Sequence, residues 1–371
     1  MALERMIITC GGTGGHFYPG LAIAKEFQDR GGKVILLLSG VNAEKQSEIA
    51  RSQGIEAECL PSMPHPLKKP FKFLSGLFGG ISGSRRVIKR FAPQAILGMG
   101  SFASLPPIAA AKLSRIPLML HDGNARVGKA NRWFSCLAKF LAVAYPAVNA
   151  KKVKAPLHVT GMPLRKELIL QRNISKSDAI AKLNELFECN LDANKNTILV
   201  FGGSQGAAIF NEYYPAAFRK LEERDFQILH LTGKGKIETP QKIYKGANFP
   251  YLLLESSEKM ELFLAAADLA VCRSGGSSLA ELALFGVPAI LTPYPQAAEG
   301  HQTDNAREFA KCDAAKIVPN EELTKEKAVE LISEYLDNES DWQKRAQIMA
   351  TKAMPDATKQ LHELIEKALA K

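Results

Sequence analysis

The sequence predicts an α/β fold of two doubly wound, parallel-sheet domains, and three observations carry that prediction. Short continuous apolar runs recur along the chain, at residues 6–10, 34–38, 95–97 and 117–120, and again at 197–201, 227–231, 269–272 and 288–292. Unbroken apolar runs of this length mark strands buried on both faces, as in parallel sheets covered by helices. Glycine-rich turns and helix-like patterns follow them, which is the alternation that βα units produce. Two of the turns resemble each other across the halves, Gly11-Gly-Thr-Gly-Gly15 and Gly202-Gly-Ser-Gln-Gly206. Each reads as the first βα turn of its own domain.

The bulk numbers agree. A chain of 371 residues exceeds one ordinary core and suits two domains. Hydrophobic residues at 46% and charged ones at 23% exclude a disordered chain. The boundary falls near Gly161-Met-Pro-Leu-Arg165, which gives domains of 1–165 and 166–355. The tail at 356–371 is a helix with apolar Leu361, Leu364, Ile365 and Leu369, suited to packing back onto the first domain. Six scattered cysteines with no C-x-x-C pair read as reduced thiols of a cytosolic protein. The first apolar stretch is too short for a signal-peptide core, and no run reaches the length of a bilayer span. Any membrane contact is therefore expected to be peripheral. Lys and Arg outnumber Asp and Glu by 48 to 38, for a net charge of +10, which favours anionic partners without choosing among nucleic acid, lipid headgroups and phosphorylated substrates.

Four segments carry candidate chemistry. In Gly11-Gly-Thr-Gly-Gly-His16, glycines at a strand-to-helix turn let backbone N–H groups approach an anion at a helix N-terminus. The spacing fits neither a dinucleotide fingerprint nor a P-loop. His16 stands at the mouth of that turn, where an imidazole can serve as a general base. A tight structural turn is the alternative reading. The second turn offers Ser204 and Gln205 as side-chain donors to an anion; a purely structural turn is again the alternative reading. In the third segment, Cys272-Arg-Ser-Gly-Gly-Ser-Ser-Leu-Ala-Glu281, a strand ends and a helix begins, so backbone amides from Gly276 to Leu279 suit a pyrophosphate. Glu281 suits ribose hydroxyls, or is an ordinary glutamate favoured by the helix dipole. In the fourth, His301, Gln302 and Asn305 follow a proline-stiffened loop and suit sugar or nucleotide contacts. No Asp-x-Asp spacing and no metal-ligand constellation is present, so no metal and no cofactor is expected. Phe71, Phe73, Leu74, Leu77, Phe78 and Ile81 interleave with Lys68, Lys69 and Lys72 ahead of Arg85, Arg86, Lys89 and Arg90. That mixture suits a surface dipping into anionic headgroups; a core helix with a solvated basic face is the alternative. No nucleic-acid reader motif accompanies the charge.

Taken together, Gly11-Gly-Thr-Gly-Gly-His-Phe-Tyr-Pro-Gly20, Gly98-Met-Gly100, Gly202-Gly-Ser-Gln-Gly-Ala207, Arg273-Ser-Gly275 through Glu281, and His301-Gln-Thr-Asp-Asn-Ala306 run in order over nearly the whole chain. In that combination they resemble the MurG family, the transferases that join N-acetylglucosamine to lipid-linked N-acetylmuramyl-pentapeptide. The resemblance implies a GT-B fold, two doubly wound domains facing a cleft with UDP held by the C-terminal one. It implies that Thr13, Gly14, Gly15 and His16 lie at the acceptor side near the donor sugar. It puts Asn124, Arg165, Ser204, Gly276, Ser277, Ser278, Leu279, Ala280, Glu281 and Gln302 on donor-binding positions, with Ser257 on another, and the stretch 71–81 on the membrane-docking patch. The chain departs from the family pattern at Asp122 and Gly123, where Glu-Gln is usual, at Met162, where Asn is usual, and at Ser101, which replaces a common glycine.

The reaction so implied is an inverting transfer from UDP-N-acetylglucosamine to the muramyl C4 hydroxyl of undecaprenyl-pyrophosphoryl-muramyl-pentapeptide. His16 is the expected base, with Asp122 or His121 as lesser candidates. The expected location is the cytoplasmic face of the plasma membrane. A related transferase using diacylglycerol, a UDP-sugar epimerase and a non-catalytic nucleotide-sugar binder remain as other readings.

Overall fold

The computed structural model describes residues 3–63, 70–203 and 205–370. The chain divides into two compact units, Met1–Arg165 with Met354–Lys371, and Lys166–Ala353. The first unit runs β1 (Arg5–Gly11), α1 (Gly14–Asp29), β2 (Lys33–Ser39), α2 (Ala43–Ser52), β3 (Glu56–Cys59), α3 (Pro70–Phe91), β4 (Ala95–Gly98), α4 (Leu105–Leu113), β5 (Leu118–Asp122), α5 (Lys129–Phe134), β6 (Leu141–Val143) and β7 (Leu157–Val159). The second runs α6 (Lys166–Leu170), α7 (Lys176–Phe187), β8 (Asn196–Phe201), α8 (Ala208–Lys220), β9 (Phe226–Leu231), α9 (Glu238–Tyr244), β10 (Tyr251–Leu254), α10 (Met260–Ala266), β11 (Leu269–Cys272), α11 (Gly276–Phe285), β12 (Ala289–Leu291), α12 (His301–Ala310), β13 (Ala315–Ile317), α13 (Lys325–Asp337) and α14 (Glu339–Ala350). The chain then returns to the first unit as α15 (Ala357–Leu369).

Every strand pair is parallel, as the unbroken apolar runs require. The first sheet has the order β3-β2-β1-β4-β5-β6-β7 and the second β10-β9-β8-β11-β12-β13. In β1 the alternation of side chains splits the core into two layers. Met6, Ile8 and Cys10 join Phe17, Leu21 and Phe27 of α1, while Ile7 faces the layer with Val87 and Ile88 of α3 and Ile108 of α4. Leu361 and Ile365 of α15 are fully buried in the α1 layer, with Leu364, Ala368 and Leu369 half-buried against it. The spacing of these residues is that of one helical face, and the Lys139 ammonium adds a bond to the Ala368 carbonyl at 2.8 Å.

The second core is rich in rings, with Phe210, Tyr214 and Phe218 of α8 packed on β8 and β9. One polar chain crosses it. His230 of β9 contacts the Tyr244 hydroxyl through Nδ1 at 3.0 Å and the Asn211 Oδ1 through Nε2 at 3.1 Å. Because Oδ1 only accepts, Nε2 carries the proton and Nδ1 accepts from the tyrosine. Burial holds this imidazole neutral and pushes its pKa from 6.5 down to about 3. The folded value lies below the unfolded one, so the unfolded chain binds the extra proton. The resulting stabilisation is complete above about pH 6.5 and is lost as pH falls from there towards about 3. Unfolding free energies from urea titrations should decrease as pH falls across that window, with a slope that includes about 1.4 kcal/mol per pH unit from this one proton. His230→Gln should flatten the slope by that amount, and equal slopes for the two proteins would show that the imidazole is not the group responsible.

Candidate functional site

In an open parallel sheet, ligands bind beyond the carboxyl ends of the two strands between which the order reverses. In the first unit those strands are β1 and β4, and in the second β8 and β11. Thr13 to His16 follow β1 and Gly276 to Glu281 follow β11, whereas Asn124 follows β5, Arg165 follows β7, Ser257 lies beyond β10, and His301 and Gln302 open α12 after β12.

In the first unit Thr13 is the N-cap of α1, and no side chain caps that helix or places a carboxylate in its first turn. His16, half-buried in the opening turn, reaches across to the loop after β4, where its Nδ1 lies 2.9 Å from the Met99 carbonyl oxygen. A carbonyl only accepts, so Nδ1 bears the proton and the ring's lone pair sits on Nε2. The loop it grips is itself fixed, since the Ser104 hydroxyl donates to the Gly100 carbonyl at 2.6 Å and Met99 N–H to the Thr9 carbonyl at 2.9 Å. Arg165 stands over the Tyr18 ring of α1 at 5.6 Å.

The segment after β5 is organised by Asp122. Its Oδ1 accepts from the Asn124 amide N–H at 3.2 Å and the Asn124 side chain at 3.3 Å. Its Oδ2 accepts from Gly128 N–H at 2.8 Å and the Asn131 side chain at 3.0 Å. A buried carboxylate so engaged shapes a loop, and a proton taken on either oxygen would compete with the two bonds that oxygen accepts. His121 is buried as well, with Nε2 donating to the Gly161 carbonyl at 3.2 Å. Burial holds its pKa below the ordinary imidazole value, against the opposing pull of that carbonyl and of Asp122. Both lesser candidates for the base are thus occupied in holding backbone.

In the second unit, Ser204 lies outside the described residues. The turn around it is pressed against the loop after β9: a Cβ on Gly206 would collide with the Thr232 carbonyl, and one on Gly233 would lie 2.6 Å from Gly206 Cα. Asn211 secures this contact by donating to the Thr232 carbonyl at 3.0 Å. The loop after β11 is cross-braced to α12. The Ser274 hydroxyl donates to the Gln302 carbonyl at 2.8 Å, and Asn305 donates to the Ser274 carbonyl at 3.0 Å. Gln302 Oε1 accepts from Tyr294 N–H at 2.9 Å, which leaves the amide nitrogen as the donor end. His301 Nδ1 donates to the Ala298 carbonyl at 2.9 Å. Gly276 and Leu279 of α11 are buried, and Ser277, Ser278, Ala280 and Glu281 are half-buried. Ser257 stands apart, beyond the edge strand β10, where its hydroxyl accepts from Lys259 N–H at 3.0 Å.

The helices after β1, β4, β8 and β11, which are α1, α4, α8 and α11, have neither a side-chain cap nor an acidic first turn, a condition that α5 and α15 share, whereas α7 and α13 are capped by Ser175 and Thr324. Helices normally satisfy their first N–H groups with such caps.

Sequence reasoning passed over Arg273 as a site residue. Its guanidinium lies between the rings of Phe210 at 4.9 Å and Tyr294 at 5.5 Å. It donates to the carbonyls of Thr292 at 3.0 Å and Pro293 at 3.1 Å and to Asn320 Oδ1 at 2.8 Å. One side chain therefore ties α8 and the loops after β11, β12 and β13 together. Its position beside Ser274 was visible in sequence; its partners, distant along the chain, were not.

On α3, Phe71, Leu74 and Phe78 are 86%, 47% and 66% exposed, and their spacing puts them on one face. Phe73, Leu77 and Ile81 are half-buried. Phe78 and Ile81 continue into an open groove of about 540 Å³ that Arg85, Arg86, Lys89 and Ser114 also line. The helix is not a core helix with only a basic outer face. Lys68 and Lys69 lie outside the described residues.

Comparison with known proteins decides the family. A model of the glycosyltransferase family 28 N-terminal domain matches residues 6–143, and one of the glycosyltransferase family 28 C-terminal domain matches residues 197–361. The chain belongs to glycosyltransferase family 28. A UDP-N-acetylglucosamine–N-acetylmuramyl-(pentapeptide) pyrophosphoryl-undecaprenol N-acetylglucosamine transferase of Halothermothrix orenii is 33% identical over 380 residues, covering 98% of each chain. One of Protochlamydia amoebophila is 34% identical over 364 residues, covering 96% of this chain and 93% of that one. The crystal structure of Acinetobacter baumannii MurG superposes with a TM-score of 0.76 at 29% identity, over 99% of this chain and 100% of that one. The MurG resemblance read from the motifs, and the two parallel-sheet domains, are borne out for this family 28 chain.

Replacing Arg273 by Ala should destabilise the protein by about 2–4 kcal/mol, because several charge-assisted bonds and two ring contacts vanish together. Arg273→Lys keeps the charge without the planar fork and should recover only part of that. Chemical denaturation of the three proteins reads this directly, and unchanged midpoints would show that Arg273 is no hub.

Proposed function

We propose that this chain transfers N-acetylglucosamine from UDP-N-acetylglucosamine to the C4 hydroxyl of lipid-linked N-acetylmuramyl-pentapeptide, with inversion. The observation that carries the reading is identity above 30% over nearly the full length of transferases bearing that name. Neither a diacylglycerol acceptor nor an epimerisation is favoured by any feature of the site.

The residues divide the labour in a way that suits this chemistry. The second unit, with α8 and α11 uncapped, holds the UDP diphosphate at their N-termini, where partial positive charge stabilises the leaving group as its charge grows. Glu281 accepts from ribose hydroxyls, and the Gln302 amide donates to the donor. Ser204 and Ser257 belong to the same donor set, and His301 stands at the sugar end. The first unit supplies the base. His16 Nε2 takes the proton of the attacking hydroxyl while its Nδ1–H stays on the Met99 carbonyl, so the ring is aimed before substrate arrives. The hydroxyl oxygen forms the new bond to C1, and the bond from C1 to the diphosphate breaks with its electron pair leaving on UDP. Thr13, Gly14 and Gly15 belong to the acceptor set, and Asn124 and Arg165 to the donor set. The exposed stripe of Phe71, Leu74 and Phe78 with Arg85, Arg86 and Lys89 docks on anionic headgroups at the cytoplasmic face, each nearby cation contributing about 1 kcal/mol.

A transfer assay with labelled UDP-N-acetylglucosamine and a short-chain muramyl-pentapeptide lipid tests donor, acceptor and reaction together; diacylglycerol should give no product. Turnover of the donor without acceptor would instead make the chain an epimerase. His16→Ala should lower kcat on the order of 100-fold with the donor KM nearly unchanged, the scale of a lost general base. Glu281→Ala should raise the donor KM with kcat less affected, and an unaltered KM would remove the ribose contact from this account.

A further inference from the structure

We propose that Gly123 and Met162 form a sterically matched pair that positions the catalytic loops of the first unit, an inference resting on the transfer reading above. A Cβ built on Gly123 would lie 2.6 Å from the Met162 Cε methyl, 3.4 Å from its Sδ and 3.9 Å from the Gly15 carbonyl oxygen. The methyl thus fills the volume that any side chain at 123 needs, beside the turn that leads into His16. Gly123 is buried and Met162 is only 3% exposed. Gly123 is absent from the glycines with positive φ, so the backbone tolerates a side chain there and space alone keeps the position bare.

Met162 is buried, and the backbone that carries it is held on both sides. Its neighbour Gly161 accepts the His121 Nε2–H bond at 3.2 Å. On the other side, a Cβ at Gly161 would lie 2.8 Å from both the Ala357 and Met354 Cβ atoms. The backbone at 161–162 is therefore held between the end of β5 and the segment that opens α15. Two contacts, His121 on Gly161 and Met162 on Gly123, set the spacing between the end of β5 and the strip leading to Arg165. Asn124 follows Gly123 directly, and Gly15 precedes His16. The pair acts through these neighbours as a positioning device rather than by touching substrate.

The test compares wild type, Gly123→Ala, Met162→Ala and the double variant in the transfer assay, with thermal unfolding of each. Gly123→Ala should lose roughly 10- to 100-fold in kcat/KM, the scale of a displacement of about 1 Å, with the donor KM raised as well as kcat lowered. Met162→Ala should lower the unfolding midpoint. Adding Met162→Ala to Gly123→Ala should restore most of the lost kcat/KM, because the new methyl then occupies the vacated space. An insoluble Gly123→Ala rescued by Met162→Ala would support the pairing equally. Multiplying losses in the double variant, wild-type kinetics for Gly123→Ala, or failure of both to fold would overturn it. A wild-type chain without transfer activity would overturn the transfer reading alone; coupling between the two substitutions in unfolding would still decide whether the pair is matched, and its absence would overturn the pairing.

Discussion

Where the order of a parallel sheet reverses, the two crossover connections depart on opposite faces and neither covers the space beyond the strands. That gap is the constraint on which the rest of this structure depends. It occurs once in each unit, between β1 and β4 and between β8 and β11, and the residues assigned to chemistry are gathered mainly on the loops around those gaps. Like most of the described helices, α1, α8 and α11, which start there, have no side-chain cap.

The two units stiffen their loops by different means. In the first, side chains hold backbone directly: His16 on Met99, Asp122 on Asn124 and Gly128, Asn131 on the His121 carbonyl at 2.9 Å. In the second, one delocalised cation held between two rings gathers several loops at once. Backbone contact without side chains, as at Gly206 and Gly233, adds a third means. All three have the same effect, which is to hold a loop in a single position.

Much of this was legible in the sequence, for a physical reason. Strands such as β1 and β8 are buried on both faces, so their composition is set by one requirement and reads as a continuous apolar run. The three-residue strands β6 and β7 escaped notice, because β7 is half-exposed and neither is long enough to establish a period. His16 and the glycine turns were legible because few residues suit such positions. What holds His16 was not: its partner is a main-chain oxygen whose location follows from sheet order rather than residue type. Asp122 shows the opposite failure. A carboxylate beside a histidine reads as a potential base, and only the convergence of donors from Asn124, Gly128 and Asn131 reveals it as the organiser of a loop.

The return of α15 to the first unit carries a consequence for biosynthesis. Leu361 and Ile365 complete a hydrophobic layer whose other members are translated before the entire second unit. On the ribosome, that layer must wait with an unfilled apolar face while the intervening unit emerges and folds. The ordering favours early, independent closure of the second core and makes the completed first core a late event. Chaperone demand should therefore concentrate on the amino-terminal part, the reverse of what simple vectorial folding would suggest.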